Sequence, residues 1–268
     1  MAEDGSRSLE ELYLRLTFDL VAVEAFDHLH WGLWTEVPKK VERFAEARRA
    51  YAEEVVGWVR GEDQRVLDVG CGLGGIARLL AERGHRVTAL TPEARHLAAL
   101  ADHGVAGLEV RGLRFEDLVA EPTFDRILFA ESFNFFADRI GETLARAAAS
   151  LRPGGELVIA ELLSERSLAA IQDAGWSILQ RRDLSDGVAF TVEALQGVFD
   201  RFVAPYRALE RAALTAVDPA LAARVETALT SEVPNRAAQS LFAGRVVERD
   251  MLADARYELL LLSPPESS

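Results

Sequence analysis

The chain reads as an α/β protein: a seven-stranded, mostly parallel sheet covered by helices on both faces, with helices ahead of it and a helical insertion before its last strand. Three observations predict this. From residue 65 onward, short β-branched runs alternate with stretches of helical apolar spacing, the pattern of a parallel sheet. A glycine-rich turn, Val66 to Gly75, joins the first strand to the first of those helices. Residues 191–250 then return to helical spacing before one last apolar run.

The elements follow in order. Leu9, Leu12, Leu16 and Leu20, then Phe44, Ala47, Tyr51 and Val55, recur at helical intervals, so residues 1–60 are expected to form an N-terminal helical cap. Between these two helices lies an aromatic stretch with two histidines, His28 to Trp34. Residues 61–190 are expected to form the core. Its strands are read at 65–69, 86–90, 107–111, 124–130, 155–161 and 177–183, with helices near 74–83, 93–103, 138–151 and 166–173. Arg152 to Glu156 (RPGGE) reads as a helix stop followed by a strand start. Residues 191–250, punctuated by Pro205, Pro219 and Pro234, are expected to be a lid. Residues 251–268 hold the last strand, Tyr257 to Leu262, and a frayed tail.

Composition narrows the classes. The 268 residues are 49% apolar and 27% charged, ordinary for a globular protein. A net charge of −13 opposes the charge sought by a phosphate backbone, so nucleic acid and anionic membranes are not expected partners. No apolar run approaches the roughly 20 residues of a membrane span. The first twelve residues are acidic and lack an apolar core, which predicts no export signal and a cytoplasmic location. Cys71 is the only cysteine, so neither an internal disulfide nor a cysteine zinc cluster can form, and no metal is expected. Monomer and homodimer both stay open.

Glycines after a strand let the backbone turn tightly and let a ligand approach, at the strand ends where open sheets bind ligands. Here the pattern is Asp68-x-Gly70-x-Gly72-x-Gly74. It resembles motif I of class I S-adenosylmethionine (SAM)-dependent methyltransferases, which have a Rossmann-like fold. Residues 112–136 are similar to the matching stretch of the cyclopropane synthases. That likeness implies that Phe115 stacks on the adenine of SAM and that Glu116 accepts from its amino group. His28 to Trp34 resembles a His-x-His-x-Gly element of the gamma-tocopherol methyltransferases that lies over the methyl donor. Leu33 there replaces the usual aromatic. The resemblance covers residues 24–162 and implies a SAM site of Asp68, Gly70, Cys71, Gly72, Gly74, Thr91, Phe115, Glu116, Ala130 and Trp34. Ala94 replaces the glutamine that helps hold the ribose, so the ribose partner stays open. Asn134-Phe135 replaces a Glu-His pair of the cyclopropane synthases. Phenylalanine accepts no proton, which argues for plain methyl transfer over ring closure.

Glu131, at the end of the fourth strand, is the first candidate for an acceptor-side carboxylate. His28 and His30 follow because imidazole titrates near neutral pH, and Glu161 is third. Each also reads as a structural group bonded to a backbone amide, Phe115 and the histidines also read as core, and Cys71 reads as a small packing residue. Leu195, Val198, Phe199, Phe202, Leu209 and Leu214 either wall an apolar acceptor pocket or simply pack the lid. The expectation is a methyltransferase acting on carbon, oxygen or nitrogen of a small natural-product, terpenoid or lipid-like molecule. The alternatives are a nicotinamide-dependent oxidoreductase and a non-catalytic SAM-binding protein. The first of these predicts an acid at the end of the second strand, where Leu90-Thr91 stands.

Overall fold

The computed structural model describes residues 28, 30–101, 104–198, 204–224 and 255–265. Within them a 3₁₀ turn, Val41–Arg43, leads into α1 (Phe44–Val56). Then β1 (Arg65–Val69), α2 (Gly75–Glu82), β2 (Arg86–Leu90), α3 (Ala94–Leu100) and β3 (Leu108–Arg111) alternate. After β4 (Phe124–Ala130) come α4 (Ile140–Ser150), β5 (Leu151–Ser164), α5 (Glu165–Asp173) and β6 (Ser177–Asp183). The insertion shows α6 (Ser185–Val188), α7 (Phe190–Val198) and α8 (Ala204–Val217), and β7 (Ala255–Ser263) closes the sheet.

The seven strands stand in the order β3-β2-β1-β4-β5-β7-β6. β1 to β5 pair in parallel, and β7 runs antiparallel between β5 and β6. Period-two alternation divides the apolar side chains between two cores. Val66, Leu128, Val158 and Leu259 face α1 and α2. Leu67, Ile127, Phe129, Leu157 and Leu260 face α4 and α5. Strands buried on both faces need the near-continuous apolar runs seen here.

The seven strands match the sequence expectation. One boundary differs. Arg152 to Glu156, read as a helix stop and a strand start, lies inside β5, because Leu151 already pairs with Phe124. The register shifts between Phe124 and Arg126, and Gly154 takes a left-handed φ of 78°, so a bulge absorbs the Pro-Gly-Gly run. The start of α5 is built by Ser164, whose hydroxyl accepts the Ser167 N–H at 3.1 Å. Leu9, Leu12, Leu16, Leu20, Phe199 and Phe202 lie outside the described residues. Leu209 is 72% exposed and therefore walls no pocket.

The segment His30 to Trp34 is sewn to three elements. The Leu33 N–H donates to Ala47 O of α1, and the Trp34 N–H donates to Gly187 O of α6. Thr191 of α7, 1% exposed, accepts from the Gly32 N–H (3.0 Å) and Trp34 Nε1 (2.8 Å) and donates to Gly32 O (3.2 Å). Gly32 is required by close approach, since a Cβ there would sit 2.8 Å from that of Ala47. Thr191→Val would leave three buried polar groups unpaired. It is expected to destabilise the fold by about 2–3 kcal/mol, read as a lower urea midpoint. A midpoint equal to that of the parent would show that these bonds are replaceable.

Candidate active site

The strand order reverses between β1 and β4, and at that point their carboxyl ends and that of β2 open into a cleft of about 400 Å³. The glycine loop forms its floor. Gly70, Gly72 and Gly74 have φ of 75°, 55° and 77°, the left-handed region that glycine alone enters without strain. The N–H groups of Gly70 and Cys71 both donate to Leu90 O, at 3.0 and 2.9 Å, which ties the loop to the end of β2. A Cβ on Gly70 would lie 2.7 Å from the Cβ of Ser132, and Ser132 Oγ donates to Val69 O at 2.5 Å. The loop is thus held from the β4 side as well.

Asp68, just before this loop, is 2% exposed, and its Oδ2 has no hydrogen-bond partner among the described residues. Burial raises its carboxyl to about 7. An acid left without a donor at a ligand-binding edge suits a ligand that brings donors or positive charge. Phe115 is buried edge-on against Phe129 and Phe136 and still lines the cleft. Glu116 lines it too, paired with Arg139 at 3.4 Å across the mouth. A half-exposed pair of this kind contributes about 0–1 kcal/mol, so a ligand displaces it at little cost.

Thr91 lines the cleft, yet its hydroxyl is engaged: it accepts the Glu93 N–H at 3.3 Å and lies 3.2 Å from His96 Nδ1. Glu93 and His96 line the same wall. Glu93 went unrecognised in the sequence because an acid three residues past a strand is common in loops. Its signal was position alone, the first turn after β2. Ser132 and Arg139, which carry no such local signal, line it as well, together with the aromatic Phe135. Phe135 is 74% exposed.

Glu131 stands at the end of β4 with a left-handed φ of 55°, rare outside glycine. That turn directs its carboxylate away from the cleft wall, toward the His28–Trp34 segment. Oε1 accepts the Trp31 N–H at 2.7 Å and lies 2.5 Å from the Tyr257 hydroxyl. Burial raises its carboxyl to about 8, against the hydrogen bonds from Tyr257 and Trp31. His30 packs on the ring of Tyr51, with centroids 4.4 Å apart, and His28 stands 4.8 Å from His30. His30 Nδ1 lies 2.7 Å from Trp31 O, and a carbonyl only accepts, so the proton is on Nδ1. Burial lowers the basicity of this ring further.

Of the residues expected at the site, Gly70, Gly72, Thr91, Phe115 and Glu116 converge on the cleft wall, with Asp68 beneath. Gly74 caps the start of α2. Cys71 packs in the loop, where burial pushes its thiol upward, away from nucleophilic use. Ala130 packs toward α1 and α2 and does not line the cleft. Trp34 corrects the expectation most clearly. It is 1% exposed, stacked with Phe44, edge-on to Phe190 and bonded to Thr191, so it is core between α1 and α7. Glu161 accepts the N–H groups of Asn134 (3.2 Å) and Leu162 (3.0 Å). It steadies the Phe133–Phe136 turn, the structural role foreseen as its alternative.

Residues 66–155 match the family described as Methyltransferase domain. The chain is 28% identical over 241 residues to methyltransferase GfsG of Streptomyces halstedii, covering 75% of this chain and 84% of that one. It also matches a ubiquinone biosynthesis O-methyltransferase of Bradyrhizobium sp. (strain ORS 278), at 33% identity over 40% of that protein's length. Among solved structures, the [4+2]-cyclase SpnF superposes with a TM-score of 0.69 at 18% identity, covering 98% of this chain and 97% of that one. A geranyl diphosphate methyltransferase in complex with GPP and sinefungin gives 0.66 at 15%, covering 97% and 98%. At such identities the superpositions establish the fold.

The buried acids imply a pH dependence. Asp68, Glu131 and Glu161 are raised to about 7, 8 and 7, chiefly by burial. Between about pH 5 and 8 the unfolded chain releases protons that the folded chain keeps. Stability present at the acid end of that window is therefore lost as pH rises through the folded values. The urea midpoint is expected to be lower at about pH 8.5 than at about pH 5.5. A midpoint that rises across the window would contradict this.

Proposed function

We propose that this chain, a class I SAM-dependent methyltransferase, transfers a methyl group to carbon, oxygen or nitrogen of a small hydrophobic acceptor of natural-product, terpenoid or lipid type. The observation that carries the acceptor class is Phe135. A phenylalanine left 74% exposed on a ligand cleft, three residues after Ser132 of the glycine-loop clamp, supports an apolar partner on that side.

The residues present fit the methyl donor. Asp68 offers an unpartnered carboxylate oxygen, the left-handed glycines leave a cradle, and Phe115 with Glu116 offers a flat face and an acceptor. Glu93 is the group we assign to the ribose hydroxyls in place of the engaged Thr91. When bound, SAM supplies an activated methyl group on a positively charged sulfur. The chain's own work is to align the acceptor and keep water out. Glu131 takes the proton that an acceptor releases, with His30 and His28 as further candidates on the same side. We assign residues 1–60 as a cap over this edge, 61–190 as the core, 191–250 as a lid and 251–268 as last strand and tail. The relatives, methyltransferases including one of ubiquinone biosynthesis, support the same acceptor class.

Isothermal titration is expected to show SAM binding to the parent and none to Asp68→Ala or Gly72→Val. Unchanged affinity in both variants would refute the loop assignment, and binding of NADH without SAM would return the chain to oxidoreductase chemistry. With metabolite fractions as acceptor source, S-adenosylhomocysteine release should accompany a mass gain of one CH₂. Glu131→Gln is expected to keep SAM affinity and to lose about 100-fold in turnover. An unaltered rate would remove Glu131 from catalysis.

A further inference from the structure

We propose that Tyr257, on the last strand, is a positioning residue for Glu131: with Tyr51 behind it, its hydroxyl fixes Oε1 as a hydrogen-bond acceptor, holds the side chain turned and favours the carboxylate form that takes a proton from the acceptor. This rests on the assignment of Glu131 to the acceptor side of the site.

The geometry is a closed chain of contacts. Tyr257, 1% exposed, places its hydroxyl 2.8 Å from that of Tyr51 and 2.5 Å from Glu131 Oε1. A phenol has one proton, so Tyr257 can donate to only one of the two. If Glu131 is ionised, Tyr51 donates to Tyr257, Tyr257 donates to Oε1, and the Trp31 N–H supplies the second donor. Every proton then has an acceptor. If Glu131 gains a proton it takes it on Oε2, since Oε1 keeps accepting from Tyr257 and from the Trp31 N–H. The two donors therefore hold the carboxyl turned in either form and bind the charged form more strongly.

Tyr257 is also fixed independently of its hydroxyl. Its backbone N–H donates to Ser185 Oγ (2.9 Å), its carbonyl accepts from Leu184 (2.7 Å), and its ring packs 5.5 Å from that of Trp31 and edge-on to Tyr51. A phenylalanine would fill the same space, so the hydroxyl serves only these polar contacts. The groups that bear on Glu131 come from every neighbouring element: Tyr257 from β7, Tyr51 and Arg48 from α1, Glu161 from β5, and the Trp31 amide, with His30 and His28 behind Tyr51. Burial and Glu161 favour the acid form; Arg48, Tyr257 and Trp31 favour the carboxylate. The balance leaves a group that gains and loses a proton near neutral pH, where a general base is most effective.

The test is a titration of the full chain, saturated with SAM and labelled with ¹³C at glutamate carboxyls, by nuclear magnetic resonance. Glu131→Gln identifies the signal. Tyr257→Phe is expected to move its midpoint up by about one pH unit, and Tyr51→Phe to move it less in the same sense. Turnover of Tyr257→Phe should fall near neutral pH and recover at about pH 9.5, where the carboxylate is restored; a purely structural role would not give that recovery. A folded Tyr257→Phe with an unmoved midpoint overturns the proposal. If that variant does not fold, Tyr51→Phe decides, and an unmoved midpoint there overturns it. Failure of the underlying reading is separate: Glu131→Gln would then retain full turnover whatever the midpoints do.

Discussion

Gly70 meets Ser132 with no room for a methyl group between them, and the geometry of the cleft follows from that contact. The strand ends of β1 and β4 approach this closely only because residue 70 has no Cβ and takes a φ of 75°. The same approach lets Ser132 donate to Val69 O and lets the Gly70 and Cys71 amides reach Leu90 O. Three strand ends are thereby locked at the reversal of strand order. Asp68 is buried beneath the lock, and Phe135 is carried to the cleft wall by the turn that follows Ser132.

The other side of this edge is governed by a competition between burial and hydrogen bonding. Three carboxyls, Asp68, Glu131 and Glu161, are each raised by burial, and each is answered differently. Glu161 receives backbone amides and becomes a support for the Phe133–Phe136 turn. Glu131 receives one amide and one phenol on a single oxygen, donors that favour the carboxylate. Asp68 Oδ2 receives nothing from the described residues, which marks it as the group awaiting an outside donor. The environments of similar side chains, more than their identities, separate support from chemistry.

A fold of this kind does not by itself decide the reaction. The solved structures that superpose on this chain include a cyclase as well as a methyltransferase. What separates such chemistries is the side-chain set on the strand ends. Here that set places Asp68, whose Oδ2 lacks a partner among the described residues, beneath the cleft, and a second carboxylate, Glu131, on the far side of the β4 turn, held by groups from β7 and the N-terminal segment.

The alternation of short buried strands with helices was legible along the chain, because a strand covered on both faces must be apolar at nearly every position, and Val66 to Val69 or Ile127 to Phe129 are. The glycine loop was legible for a similar local reason: three left-handed turns in five residues admit little but glycine. The roles of Trp34 and Tyr257 were not. Trp34 sits in a motif that pointed to the site, yet its position is set by Phe44, Phe190 and Thr191, the last of them 157 residues away. Tyr257 sits in an apolar run and gave no local sign, yet an antiparallel strand inserted beside β5 sets its hydroxyl against Glu131, 126 residues earlier. Local pattern determined which strands and turns form, since that depends on neighbours in sequence. Only the tertiary structure decided which carboxylate is spent on amides, which is held by phenols and which is left open, since hydrogen-bond partners are assigned by proximity in space.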